Sequence, residues 1–210
     1  MKSEKFNAYF TLLAETVSVL FHPILMPLYG LLIIFYAPTI LAYLPSTVKK
    51  FLILIVLINN VFVPLSLLPY FKYRSIITSW TISERKERIL PLIVTSIFYS
   101  LTVYIIYRFN IPGFIKSFFV VSAFFAISLT ILNFWWKISI HAVGVGAITA
   151  LLVILSILMQ VDLMVFIVTA ILISGLVMSA RLFLNLHEPA EVWVGYFFGI
   201  AGSCLMFLLI

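Results

Sequence analysis

The sequence predicts an all-α protein: a polytopic transmembrane helical bundle of six to seven spans. Three observations predict it. Hydrophobic residues make up 64% of the 210 and charged residues only 10%, against roughly half and about a quarter in soluble domains. Mean hydropathy is +1.24, and so apolar a surface must face lipid. The apolar residues fall in unbroken runs close to the ~20 residues that cross a bilayer as a helix. They do not alternate as barrel strands would. The 20 phenylalanines also suit a lipid-facing exterior, and residues 1–210 are read as a single integral membrane domain.

The elements follow in order. Met1-Lys2-Ser3-Glu4-Lys5 leads into a long apolar stretch without a small-residue cleavage site, so a retained first segment is expected. Residues 9–44 are broken by Pro23, Pro27 and Pro38, and read as an interfacial helix over 7–21 followed by a first span over 24–44. Lys49 and Lys50 mark an interface, and the second span covers 51–71. A polar, basic loop runs from Lys72 to Arg88, and the third span covers 89–107. Asn110 to Gly113 is a turn, since proline fixes its φ and glycine relaxes the geometry. The fourth span, 114–136, ends in Trp135-Trp136, an aromatic interface anchor. The fifth, sixth and seventh cover 140–160, 163–181 and 191–210. The single cysteine, Cys204, excludes an internal disulfide. Ala142, Gly146 and Ala150 form a small-residue stripe, as do Gly195 and Gly199, and such stripes let helices approach closely. Asn59, Asn60 and Asn133 read as interhelical hydrogen-bond partners, and Glu15 and His22 receive no role.

Each span reverses the side on which the next loop emerges. By that parity the loop 72–88, the corner 136–141 and the loop 181–191 share one membrane surface. Arg85, Lys86, Arg88, Lys137, His141, Arg181, His187 and Glu191 gather there, as a headgroup site requires. The net charge of +6 suits anionic headgroups or phosphate. Once the candidate phosphate ligands are set aside, loop charge does not choose which side of the membrane that surface faces.

The richest stretch runs from Ser179 through Arg181, His187, Pro189 and Glu191 to Gly195. In a helix starting near His187, His187 and Glu191 share a face. A carboxylate there fixes the tautomer of the imidazole and leaves the second ring nitrogen to act as base or nucleophile. The planar fork of Arg181 suits bidentate phosphate binding. Pro189 suits a first helical turn, where no backbone donor is needed. A second stretch, Trp136-Lys137-Ile138-Ser139-Ile140-His141-Ala142, places a histidine at the start of a span beside a lysine and a serine. It offers a general acid and two phosphate contacts, or simply a wet interfacial histidine.

These two stretches resemble the type 2 phosphatidic acid phosphatase and vanadium haloperoxidase superfamily. Its motif SRxxxxxHxxxD matches the spacing of Arg181, His187 and the acid Glu191, and Val192, Gly195 and Gly199 continue in register. Its earlier motif, PSGH, is similar to Ile138-Ser139-Ile140-His141. The resemblance covers residues 136–202 and implies a core of that family's type, in its membrane lipid phosphatase branch. It implies that His187 attacks phosphorus, Glu191 holds His187, and His141 protonates the leaving group. Arg181 and Ser139 would bind phosphate, with no metal and no cofactor, because cationic side chains supply the charge. The chain departs from the pattern in three places. Glu191 replaces the family's Asp, and one extra methylene is expected to displace the imidazole by about 1 Å. Isoleucines stand at the Pro and Gly of PSGH. The first motif, KxxxxxxRP, has only Glu84-Arg85-Lys86-Glu87-Arg88-Ile89-Leu90-Pro91 as its nearest basic stretch, and Lys137 is a substitute for it. Arg85, Lys86, Arg88 and Lys137 therefore join the candidate phosphate ligands.

The leading expectation is a membrane-embedded phosphatase of a lipid phosphate or diphosphate, working through a phosphohistidine. Its partners are the lipid phosphate and the bilayer, not nucleic acid, and its expected location is a bacterial inner (cell) membrane, crossed several times. The alternative is a catalytically inactive phosphatase-like scaffold that binds or transports phospholipid. A proton-relaying transporter or channel is disfavoured, because spans five and seven turn apolar beyond their first turns.

Overall fold

The computed structural model describes residues 2–80, 82 and 84–210, with side chains from residue 8 onward. Met1, and Thr81 and Ser83 in the expected loop 72–88, lie outside the described residues. Among the described residues there is no strand, and seven helical segments are long and apolar enough to cross a membrane. The chain is thus a multi-pass integral membrane protein.

The helices are α1 (Lys2–Leu20), α2 (Met26–Tyr36), α3 (Ser46–Ile55), α4 (Val63–Tyr73), α5 (Ile89–Tyr107), α6 (Gly113–Leu132), α7 (Ile140–Met159), α8 (Met164–Phe183) and α9 (Pro189–Leu209). A π-helical stretch, Val56–Phe62, joins α3 to α4 within one candidate span, Ser46–Tyr73.

The first span differs from expectation. In place of an interfacial helix over 7–21 and a span over 24–44, one candidate span runs Ala8–Tyr36. The prolines explain the difference. Pro23 opens a 3₁₀ turn, Pro23–Leu25, and Pro27 stands in the first turn of α2. Both occupy positions where a missing N–H costs nothing. The helical path is interrupted at His22, whose backbone is extended (φ −63°, ψ 135°), and α2 ends at Tyr36, two residues before Pro38.

The chain divides into two compact units. One comprises residues 1–26 and 138–203, and so contains α1, α7, α8 and most of α9. Within it α1 packs on α8, α8 on α7, and the 3₁₀ turn on α7. Phe10 and Phe183 meet at 6.2 Å between ring centroids. Thr149 and Ser174 share a buried hydroxyl contact of 3.2 Å between α7 and α8; such intramembrane hydrogen bonds contribute on the order of 0.6 kcal/mol each. Glycines bring α7 and α9 together. A Cβ on Gly199 would strike the carbonyl of Val143 and lie 2.9 Å from the amide of Ala147, and one on Gly146 would strike the carbonyl of Tyr196. Ala142, Met178 and Val192 form the core beneath these crossings, with Leu182 and Tyr196 packed against them.

The other unit comprises residues 27–137 and 204–210. Here α5 packs on α6 and on the π-helical stretch. Ser96 and Thr130 bond at 2.8 Å between α5 and α6. Thr102 Oγ1 donates to Asn60 Oδ1 at 2.6 Å in the buried interior, the interhelical role expected of that asparagine. Lys49 donates to the carbonyls of Ala42 (2.6 Å) and Phe35 (3.3 Å), which folds residues 37–45 back onto the end of α2.

Candidate functional site

The site is built at the start of α9. Asn185 adopts a left-handed conformation (φ 51°) just past α8, a conformation asparagine tolerates better than most residues. The N–H of Leu186 then bonds back to the carbonyl of Arg181 at 3.3 Å, closing the helix end in the manner of a Schellman turn. This reversal leaves Arg181 in the last turn of α8 and carries the chain to His187. Pro189 opens α9 as its first residue, which puts Glu191 in the third helical position. From there its Oε2 accepts the backbone N–H of Glu188 at 3.3 Å, one half of a capping box. The same oxygen lies 2.6 Å from His187 Nδ1. The carboxylate sits at the positive end of the α9 dipole.

An ionised carboxylate accepts only, so Nδ1 carries the proton and the reactive face of His187 is Nε2. The imidazole side chain is 1% exposed and the carboxylate side chain 12%, so solvent does little to loosen the pair. Arg181 is likewise buried, at 7% exposure.

The beginning of α7 closes on this corner. The backbone N–H of Ser139 donates to the carbonyl of Glu191 at 3.1 Å. Ser139 Oγ is fully buried and has no hydrogen-bond partner among the described residues. A Cβ on Gly195 would stand 2.9 Å from the Ser139 carbonyl, so a glycine there permits the approach. His141, two residues on, points its Nε2 at the carbonyl of Ser18, 3.1 Å away. A carbonyl can only accept, so that nitrogen carries a proton and Nδ1 is the second functional atom. The Arg181 guanidinium acts electrostatically on His141, and the His187 ring does so more weakly.

A residue without an assigned role joins them. The ring of His22 packs edge-to-face on that of His141, with centroids 5.6 Å apart and planes at 79°. Its Nδ1 accepts the backbone N–H of Ile24 at 3.3 Å, capping the 3₁₀ turn. His22 and His141 therefore form one pair, and the Ser139–Glu191 backbone bond ties the start of α7, which carries His141, to the turn that holds His187. Among the described residues no group of three or more His, Cys, Asp or Glu is arranged to hold a metal ion.

The remaining expected phosphate ligands belong to the other unit. Arg85 donates to the carbonyls of Phe134 and Asn133, and Asn133 Nδ2 returns a bond to the Arg85 carbonyl at 2.9 Å. Arg88 is buried and its Nε donates to the Ile82 carbonyl at 2.9 Å. These two guanidinium groups thus hold loop backbone. Lys86 is exposed and Lys137 half-buried.

Compared with known proteins, the chain matches no family model, no curated protein and no solved structure.

Proposed function

We propose that the protein is a membrane-embedded phosphatase that hydrolyses a lipid phosphate or diphosphate through a phosphohistidine. The observation that carries the reading is the held imidazole. His187 is buried and fixed through Nδ1 by Glu191, in the company of Arg181 and His141. A nucleophile oriented by a carboxylate, beside a second imidazole and a guanidinium, is the arrangement that covalent phosphoryl transfer needs.

In the first step Nε2 of His187 attacks phosphorus, the P–O bond to the lipid breaks, and His141, entering the step as an imidazolium with a second proton on Nδ1, gives that Nδ1 proton to the departing oxygen. In the second, water attacks the phosphorus, the P–N bond breaks, and inorganic phosphate leaves. His141 takes the proton of that water and His187 returns to its starting state. Arg181 and the Ser139 hydroxyl hold the phosphoryl oxygens as charge builds. The apolar helices α1, α7, α8 and α9 supply surface for a hydrocarbon tail beside the charged head.

The test is phosphate release from a panel of lipid phosphates in detergent with a chelator present, comparing wild type with His187→Ala. Release that requires His187 and ignores the chelator is the expected result. No release by folded wild-type protein would replace this reading with a scaffold that binds or transports phospholipid.

A further inference from the structure

His22 contributes to this corner from the far end of the sequence. It follows α1, whose Ser18 carbonyl accepts the hydrogen bond from His141 Nε2–H. Ser18 Oγ is buried and, like Ser139 Oγ, has no hydrogen-bond partner among the described residues. Two orphaned hydroxyls thus belong to residues next to His141: one on Ser18, whose carbonyl His141 meets, and one on Ser139, two residues before it. Buried hydroxyls without partners are costly, so they point to a polar ligand that satisfies them. His22 itself is exposed and reachable. Because its Nδ1 accepts the Ile24 N–H, the ring proton sits on Nε2, making that atom a donor.

Direction follows from the chemistry proposed above, on which this inference rests. Attacking and departing atoms stand roughly in line across phosphorus. His187 attacks and His141 protonates the departing oxygen, so groups packed against His141 line the leaving-group side. If the leaving group is a simple alcohol, the next atom beyond its oxygen is a methylene, which offers His22 nothing. If it is a lipid phosphate, anionic oxygens stand there to accept from His22 Nε2 and to meet the Arg181 charge.

We propose that His22 is a specificity-determining residue of this site, donating to a leaving-group phosphate, and that the protein therefore prefers a lipid diphosphate over the matching monophosphate.

Two substitutions separate this role from capping. In His22→Asn the side-chain oxygen can still cap Ile24, but no donor reaches the position of Nε2. In His22→Gln the terminal amide nitrogen reaches that position and the cap is lost. The experiment measures kcat/KM for a diphosphate and a monophosphate carrying the same prenyl tail. Wild type should favour the diphosphate, His22→Asn should lose roughly tenfold of that preference, the size of one charge-assisted hydrogen bond, and His22→Gln should keep it. A preference unchanged in His22→Asn, or lost in His22→Gln, overturns the assignment. Wild-type protein supplies a second reading that needs no variant: methylene diphosphonate should inhibit at about a tenfold lower concentration than inorganic phosphate, and equal inhibition overturns the proposal. A parallel His187→Ala control separates the two levels. Release that persists without His187 removes the phosphatase reading, and this inference with it, whereas the other outcomes overturn this inference alone.

Discussion

Glu191 binds His187 and caps its own helix with a single oxygen: Oε2 is 2.6 Å from His187 Nδ1 and 3.3 Å from the Glu188 amide. The length of the side chain is what lets one atom do both. From the third helical position a carboxylate must reach back over the first turn, and glutamate is the residue that capping boxes use there. Glu191→Asp should therefore lower kcat for lipid phosphate release by about tenfold to a hundredfold, the cost of an imidazole displaced by about 1 Å. A rise in kcat would mean that the extra methylene handicaps the site instead of serving it.

Covalent chemistry leaves a trace. Brief reaction of wild-type protein with a lipid carrying labelled terminal phosphate, quenched in alkali, should leave label on protein, stable in base and released by acid. The label should be missing from His187→Ala protein that still shows an unchanged helical circular dichroism spectrum. Label retained in that variant would move the nucleophile to another residue.

His141 is expected to act as the acid, a role revealed by the leaving group. His141→Asn should reduce turnover of an alkyl lipid phosphate by about a hundredfold or more, in the range that general acids contribute. Against an aryl phosphate, whose phenolate departs without help, the same substitution should cost much less. Equal losses on both substrates would assign His141 to binding or support instead.

Much of this architecture is legible in sequence, and the reason is length. The third, fifth, sixth and seventh spans are expected at 89–107, 140–160, 163–181 and 191–210 and observed at Ile89–Tyr107, Ile140–Met159, Met164–Phe183 and Pro189–Leu209, because no charged residue interrupts their interiors. The first span is not legible in the same way. Pro23 and Pro27 look like breaks in a linear reading, yet each occupies a position where its missing donor is harmless. At the site, the His187–Glu191 contact is local, within a single helical turn, and so can be read from spacing. The His22–His141 contact is not. Ser18 and His141 are 123 residues apart, and no periodicity links them. The signals in the sequence are indirect: the chain has only three histidines, and His22-Pro23 and His187-Glu188-Pro189 each stand where a proline starts a helical turn.

The closeness of α7 and α9 makes a last prediction about stability, with its control built into the same unit. The turn carrying Ser139 and His141 meets the turn carrying Glu191 because glycines remove side chains where backbones touch. At Gly199 a Cβ would collide with the Val143 carbonyl, and backbone cannot move aside as a side chain can. Gly199→Leu should force the helices apart and cost about 1–3 kcal/mol, as overpacking does elsewhere. That should lower the midpoint of thermal unfolding in detergent by on the order of 5 °C, and lipid phosphate release should fall with it. Gly175, in α8, faces open space, with nothing within 4 Å of where a Cβ would stand. Gly175→Ala should leave the midpoint unchanged or slightly raised, since alanine is the better helix former. If both substitutions shifted the midpoint equally, the effect would belong to glycine in a helix, not to the crossing. If Gly199→Leu left stability and release untouched, the close approach of α7 and α9 would not be what positions the site.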